Sequence, residues 1–405
     1  MKGIDIKVRE LLEKNTRHCN NYTYTVPSTS SYPYQWFWDS CFHAILWNKF
    51  DSNRAQQEIE SLIYHQHKDG FIGHVTYWEP SHILDVDWGM PNTSSLIQPP
   101  IIAYAVWKIF NSTDGKEWLL SVYPQIKLYY NFIIKNRILN DRNLVGLVNP
   151  DESGEDNAPK FDLELDLPPQ HNAKENTKRR YALFDRHKEC NFNAACTSKY
   201  FWTEDIAFNT YMVWNLQIMS DIAFVLNKKH DSNTFRKQAT TLTQAMRTNM
   251  LHEGRFRSLS GFDESTVDSS ESWDQFLPMI ANLYTHEEAL ALVKNKLCNE
   301  ESFWRPYGIP TVAINDPTFS PDEPEWGEAW QHPDWRGSVW MVPHWFIYHG
   351  LCNYGFTDIA EEIKQKSMSL IKKEGWRENF HPETGKGQGA EGFTWGALIV
   401  DMQTD

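Results

Sequence analysis

The sequence predicts an all-α protein made of helical hairpins. Three observations carry this. Apolar residues recur at helical spacing through most of the 405 residues, the helical stretches come in closely spaced pairs, and segments that alternate like strands are few and short. The length exceeds the ~250 to 300 residues at which one ordinary core stops growing, which leaves either two domains or one large toroidal domain. No shift in composition marks a boundary and no close repeat is visible beyond the hairpin period, so residues 1–405 are read as one domain.

Taken in order, a first helix is expected near 4–14. Five hairpins follow, pairing 38–49 with 52–66, 94–111 with 115–136, 205–227 with 232–251, 273–284 with 286–298, and 338–352 with 357–374, and a last helix lies near 394–403. Ile59, Leu62 and Ile63 lie on one helix face; so do Met212, Leu216, Met219 and Ala223, and then Phe235, Ala239, Leu242 and Met246. Thr285 with Glu288 forms a capping box ahead of an apolar stretch. A strand-like run occurs around Leu144 to Val148, too little for an alternating α/β fold. Two stretches, 139–203 and 299–336, break the helical rhythm; their Trp, Phe and Tyr content predicts functional loops on one rim rather than disorder.

Composition narrows the function classes. Hydrophobic residues make up 41% and charged residues 23%, as in a soluble globular protein. With 39 basic and 53 acidic residues the formal net charge is -14, and no Lys/Arg block stands out, so neither nucleic acid nor an anionic membrane is expected as a partner. Cys19, Cys41, Cys190, Cys196, Cys298 and Cys352 have no regular spacing and are read as reduced structural thiols. The start has no apolar signal core and no apolar run approaches the ~20 residues that span a bilayer, which predicts a cytoplasmic protein. No metal or cofactor is expected, since HExxH, Cys/His clusters, Walker loops and GxGxxG runs are lacking. The 18 Trp, 17 Tyr and 22 Phe fill a large core or line a cleft; beside carboxylates, their flat faces suit the C–H faces of sugars.

Four clusters combine aromatic and charged groups. Tyr34-Gln-Trp36-Phe-Trp38-Asp39 enters a helix, where Asp39 is either an N-terminal cap or the hydroxyl acceptor of a sugar pocket walled by Trp36 and Trp38. Asp151-Glu-Ser-Gly-Glu155-Asp156-Asn157 reads as a solvated turn, a calcium loop or the seat of a general acid, in which crowding by Glu155 would keep Asp156 protonated. In the third cluster, Glu325-Trp-Gly-Glu-Ala-Trp-Gln-His-Pro-Asp-Trp335-Arg336-Gly-Ser-Val-Trp340, Arg336 either forks onto hydroxyls or pairs with a structural carboxylate. The fourth, Trp376-Arg-Glu378-Asn-Phe-His-Pro-Glu-Thr-Gly-Lys-Gly, is followed by Phe393-Thr-Trp395; Glu378 is a base or a surface charge.

QWFWDS, ESGEDN, the run from Tyr307 to Trp340 and ENFHPETGKG with FTW, in this order over about residues 33 to 396, resemble glycoside hydrolase family 63, and within it the short bacterial mannosylglycerate and glucosylglycerate hydrolases. The resemblance implies an (α/α)6 barrel, an exo-acting pocket and an inverting mechanism with Asp156 as general acid and Glu378 as general base. It puts Trp36, Trp38, Asp39, Gln98, Trp335, Arg336 and Trp340 at positions that shape the sugar pocket, with Tyr34 and Trp395 beside them. Inversion needs one protonated and one ionised carboxyl ~6.5 to 9.5 Å apart. The chain departs from the family at Asp334 and Ser338, where members commonly have Tyr and Pro; an anionic Asp334 would repel a glycerate carboxylate, which leaves the aglycone open. Arg179, Arg180 and Arg186 read as a basic surface face that could also bind a carboxylate. The amino-terminal sandwich domain of longer members has no counterpart, so an N-glycan processing role is not expected. Two alternatives stand beside hydrolysis. One is a sugar epimerase or lyase on the same toroid, using His332 or His381; the other is a non-catalytic sugar-binding protein.

Overall fold

The computed structural model describes residues 2–78, 89–90, 92–168, 171–322 and 335–402. It is mostly helical. The helices are α1 (Lys2–Asn15), α2 (Phe37–Trp47), α3 (Ser52–Tyr64), α4 (Ile102–Thr113), α5 (Lys116–Arg137), α6 (Ala173–Glu189), α7 (Ala194–Thr197), α8 (Ile206–Val225), α9 (Lys229–Asn249), α10 (His286–Leu292), α11 (Met341–Asn353) and α12 (Thr357–Glu374). Strands among the described residues are two to five residues long and form small antiparallel ladders at the helix ends.

Two kinds of helix result from two kinds of sequence. All eleven residues of α2 are buried, and α8 is buried almost throughout, because both are apolar around most of their circumference. Helices α3, α9 and α12 bury one face; in α9 that face is Phe235, Ala239, Leu242 and Met246. The apolar elements pack in sequence: α2 on α4, α4 on α8, α8 on the 3-10 segment Trp273–Ala281, that segment on α11, α11 on the 3-10 segment Thr394–Val400, and Thr394–Val400 back on α2. The amphipathic partners α3, α5, α9 and α12 pack on α2, α4, α8 and α11, and α1 on Thr394–Val400, so the two ends of the chain meet.

Thr285 and Glu288 make the expected capping box at the start of α10. Other expectations need correction. Helix α4 starts at Ile102 rather than 94, since Pro99 and Pro100 bias the residues before them away from helix and lack amide protons. The segments expected as helices at 273–284 and 394–403 are 3-10 turns of nine and seven residues, the first with Pro278 inside. Residues 144–148 form no strand; Leu147 makes a single bridge to Thr203.

The largest correction lies in the stretch expected to be loop at 139–203, which contains the 17-residue helix α6, capped by the Asn172 side chain on the Glu175 amide. Its buried face is Asn176, Arg180, Leu183, Phe184 and His187. The spacing is helical but Asn176, Thr177, Arg180 and His187 on the buried side are polar, so a search for apolar periodicity passes over it. Cys190 and Cys196, expected as reduced thiols, are joined in a disulfide just past α6. No described helix is long and apolar enough to cross a membrane.

Candidate active site

The N-terminal ends of α2, α11 and Thr394–Val400, with Gln98 from the segment ahead of α4, converge on a cavity of about 190 Å³. Trp36, Trp38, Asp39, Gln98, Asp156, Trp335, Trp340, Glu378 and Trp395 all line it. Residues from four separate sequence clusters thus share one small chamber: two lead directly into α2 and α11, Trp395 opens Thr394–Val400, and the 151–157 turn and the strand bearing Glu378 are brought in from outside the inner circuit.

The aromatic wall is built by packing indoles on one another. Trp335 and Trp340 stack at 4.4 Å with an interplanar angle of 6°, and Trp395 lies 5.3 Å from Trp340 and edge-on to Trp38 at 5.1 Å. Trp38 is held at its backbone, whose N–H donates to Gln98 Oε1 at 3.0 Å. Gly154 lets this wall close: its φ is +73°, and a Cβ there would come 2.5 Å from the Trp38 ring. Asp39 is not the cap of α2 but lies in its first turn, facing the cavity and accepting from Trp395 Nε1 at 2.6 Å. Burial pushes its carboxyl up to about 6, although His43 and the Trp395 donor oppose the rise.

The four acidic groups of 151–156 divide two and two. Glu152 is fully buried, accepts from the amides of Ile97 and Val148, and pairs with Arg137. Glu155 also turns inward, to Lys160 Nζ at 3.3 Å and Trp273 Nε1 at 3.1 Å, where Lys160 also meets Asp205 and Asp274. The expectation that Glu155 crowds Asp156 is therefore wrong. Asp151 and Asp156 are the pair that faces the cavity, and between them lies Arg180 of α6. The cationic partners of the cluster are Arg137 at Glu152, Lys160 at Glu155, and Arg180 at both Asp151 and Asp156. Asn157 ties the cluster to the indole wall, accepting from the Trp335 amide at 3.0 Å.

Glu378 is no surface charge. It is 6% exposed, on the strand Arg377–Phe380 that pairs with Gly387–Glu391. Tyr32 Oη donates to its Oε1 at 2.6 Å and the Ala390 amide to its Oε2 at 2.7 Å, two donors suited to an acceptor-only carboxylate. Gly389, with φ +62°, lets the chain pass here: a Cβ would lie 2.4 Å from Glu378 Oε2.

Two expected site residues lie elsewhere. Tyr34 packs edge-on against Tyr77 at 5.1 Å, beside the cluster of Val75, Leu96 and Phe184, and does not line the cavity. Arg336 is buried and pairs with Asp162 behind the wall, the structural alternative weighed for it. Ser338 is buried, with its Oγ 3.3 Å from Gln388 Oε1. Asp334 and His332 lie outside the described residues. His381 does not line the cavity; its Nδ1 accepts from the amides of Glu383 and Thr384.

Sequence reasoning missed Tyr32, His74 and the α6 residues Thr177 and Tyr181, all of which line the cavity, and named Asp151 within its cluster without giving it a role. Arg180 was read as part of a surface face; its side chain is buried, whereas Arg179 and Arg186 are exposed. Tyr32 sits two residues before Tyr34, so the aromatic cluster pointed to its neighbourhood. His74 packs edge-on to Trp36 at 5.3 Å, and burial pushes its imidazole down to about 3, so it is neutral.

Comparison with known proteins agrees with this architecture. Residues 32–396 match the family described as the mannosylglycerate hydrolase MGH1-like glycoside hydrolase domain. A mannosylglycerate hydrolase of Thermus thermophilus is 28% identical, covering 98% of this chain and 99% of its own. The glucosylglycerate hydrolase of Mycolicibacterium hassiacum is 22% identical over 93% of each chain. The crystal structure of a family 63 mannosylglycerate hydrolase from another Thermus thermophilus strain, in complex with Tris and D-glycerate, superimposes with a TM-score of 0.87 at 26% identity, covering 98% of this chain and 99% of that one. With nearly its whole length matched, the chain belongs to the MGH1-like glycoside hydrolases of family 63 and is a glycoside hydrolase.

Proposed function

We propose that this protein is an inverting, exo-acting α-glycosidase that hydrolyses a small α-glucoside or α-mannoside of the glucosylglycerate or mannosylglycerate type, with Asp156 as general acid and Glu378 as general base. The observation that carries this reading is that two carboxyls from separate elements line one small cavity, one beside a cation and a second carboxyl, the other beneath neutral donors. A small chamber walled by Trp36, Trp38, Trp335, Trp340 and Trp395 suits one sugar ring at a chain end rather than a long polymer. Asp39 and Gln98 supply hydroxyl partners at its floor.

In this reaction Asp156 gives its proton to the departing oxygen as the anomeric C–O bond breaks. Glu378 takes a proton from the water that attacks the other ring face, so the anomeric configuration inverts. The closed circuit of packed inner elements, each with an outer partner, supports reading the fold as an (α/α)6 barrel formed by a single domain. The same reading puts the protein in the cytoplasm, acting on a soluble metabolite.

Anomer-resolved proton NMR of the purified protein tests the proposal, with glucosylglycerate, mannosylglycerate, glucosylglycerol, kojibiose, nigerose and trehalose as the panel. First release of the β-anomer from an α-linked member is expected. First release of the α-anomer would overturn inversion, and no cleavage of any member would overturn the substrate class.

A further inference from the structure

One arginine nitrogen serves two carboxyls at the mouth of the 150–157 turn. Arg180 Nη1 donates to Asp151 Oδ1 and lies 2.8 Å from Asp156 Oδ2. The guanidinium is held in place, since its Nε donates to Asn176 Oδ1 at 2.8 Å one turn earlier on α6. Asp151 Oδ2 is buried and has no hydrogen-bond partner among the described residues, although Asp151 lines the cavity. Charge counting decides what such a trio does. One cation with two ionised carboxylates leaves a net negative charge in a largely buried site; one bound proton makes the trio neutral.

We propose that Asp151 is a positioning residue for the acid: it shares Arg180 with Asp156, so that the pair retains one proton, which Asp156 passes to the departing oxygen. This rests on Asp156 being the general acid. Without Asp151, Arg180 would face Asp156 alone and favour its ionised form, the wrong state for a proton donor. The step is balanced. Asp156 loses a proton to the leaving oxygen, which keeps the electron pair of the broken C–O bond; Glu378 gains a proton from the attacking water; and exchange with solvent restores both.

The other groups around the pair leave room for this role. Glu152, next in the turn, is engaged by Arg137, and Tyr181 of α6 stays un-ionised because burial pushes its hydroxyl up to about 12. Across the cavity stand Asp39, neutral His74 and Glu378. Burial, more than the neighbouring Asp156 and Glu152, pushes Asp151 up to about 7 against the pull of Arg180.

The experiment is the pH dependence of kcat/KM for Asp151→Asn, Asp151→Glu and Asp156→Asn, on whichever panel glycoside the wild type cleaves, with circular dichroism and Tm for each variant. Asp151→Asn should move the alkaline limb down by roughly one unit, and Asp151→Glu should restore the limb. A uniform fall in rate with an unmoved limb would show that Asp151 is merely structural and overturn the inference. Full activity in Asp156→Asn would instead overturn the acid assignment itself, so the two failures are distinguishable. Carboxyl-carbon NMR titration of the wild-type protein tests the same point without a substrate or a variant. Coupled titration of Asp151 and Asp156 with a step near neutrality supports the inference, and two independent steps in the ordinary carboxylate range overturn it.

Discussion

The two walls of the cavity hold their carboxyls by different means. Asp156 follows the 3-10 turn Pro150–Ser153 with its side chain about a third exposed, and its neighbours are a cation and a second acid, both of which can change its charge state. Glu378 stands on a strand, nearly sealed from solvent, and two of its donors are a phenol and a backbone amide, which direct its oxygens and do not ionise at neutral pH. A group that must hold and release a proton gains from a partner that shares the charge. A group that must only accept one gains from fixed donors. Under the proposed assignment, the contrast gives a reason for the wall of Asp156 to draw on helix α6, distant from the inner elements in sequence, while the wall of Glu378 is a self-contained two-stranded ladder.

The largest effect should come from neutralising either wall. Asp156→Asn and Glu378→Gln should each lower turnover by at least the ~100-fold usual for acid–base groups with the fold intact, measured as kcat beside circular dichroism. Equal rates in either variant and the wild type would break the comparison at its root.

Asp39 sharpens the comparison because it has a donor but no arginine. Its folded value of about 6 lies above the ordinary carboxylate value, so the native state binds the proton more tightly than the unfolded chain. Its contribution to stability is therefore full below about pH 4, declines as pH rises through about 6, and stays lost above that. Asp39→Asn should stabilise the protein at pH 7.5 by on the order of 2 to 3 kcal/mol, with little change at pH 4, while sugar affinity falls. Thermal unfolding at the two pH values checks this; equal Tm differences at both would contradict it.

Tyr32→Phe removes one donor from Glu378 and leaves the Ala390 amide. A loss of about tenfold in kcat, with a smaller change in KM, is expected from losing one hydrogen bond to a charged group. Steady-state kinetics would show a KM effect instead if Tyr32 served only the sugar.

The smallest effect should come from Arg186, six residues beyond Arg180 on α6. It is exposed and paired with Glu189 at the helix surface. Arg186→Ala should leave both Tm and turnover unchanged, and a measurable loss would mean that the outer face of α6 takes part in the acid wall.

The helical hairpins were readable because their apolar faces repeat locally: Phe235, Ala239, Leu242 and Met246 predict both the helix and its buried side. The same reading failed at α6, whose inward face carries Asn176 and Arg180, since apolar periodicity detects burial only where the buried residues are apolar. The four site clusters could be found one at a time by their residue types. The sequence puts Arg336 at the pocket and Arg180 on a surface face, yet Arg336 turns to Asp162 behind the wall and Arg180 into the cavity.

The sequence by itself determined a mostly helical chain, the pairing of α2 with α3, α8 with α9 and α11 with α12, the enzyme family, and Asp156 and Glu378 as the carboxyls to test. Only the tertiary structure decided that Asp151 rather than Glu155 accompanies Asp156, that Tyr32 and Ala390 hold Glu378, and that Tyr34 and Arg336 stand outside the cavity. The reason is physical. Helical spacing is a property of neighbours along the chain, whereas the charge and donors around a carboxyl come from whichever distant segments the fold packs against it.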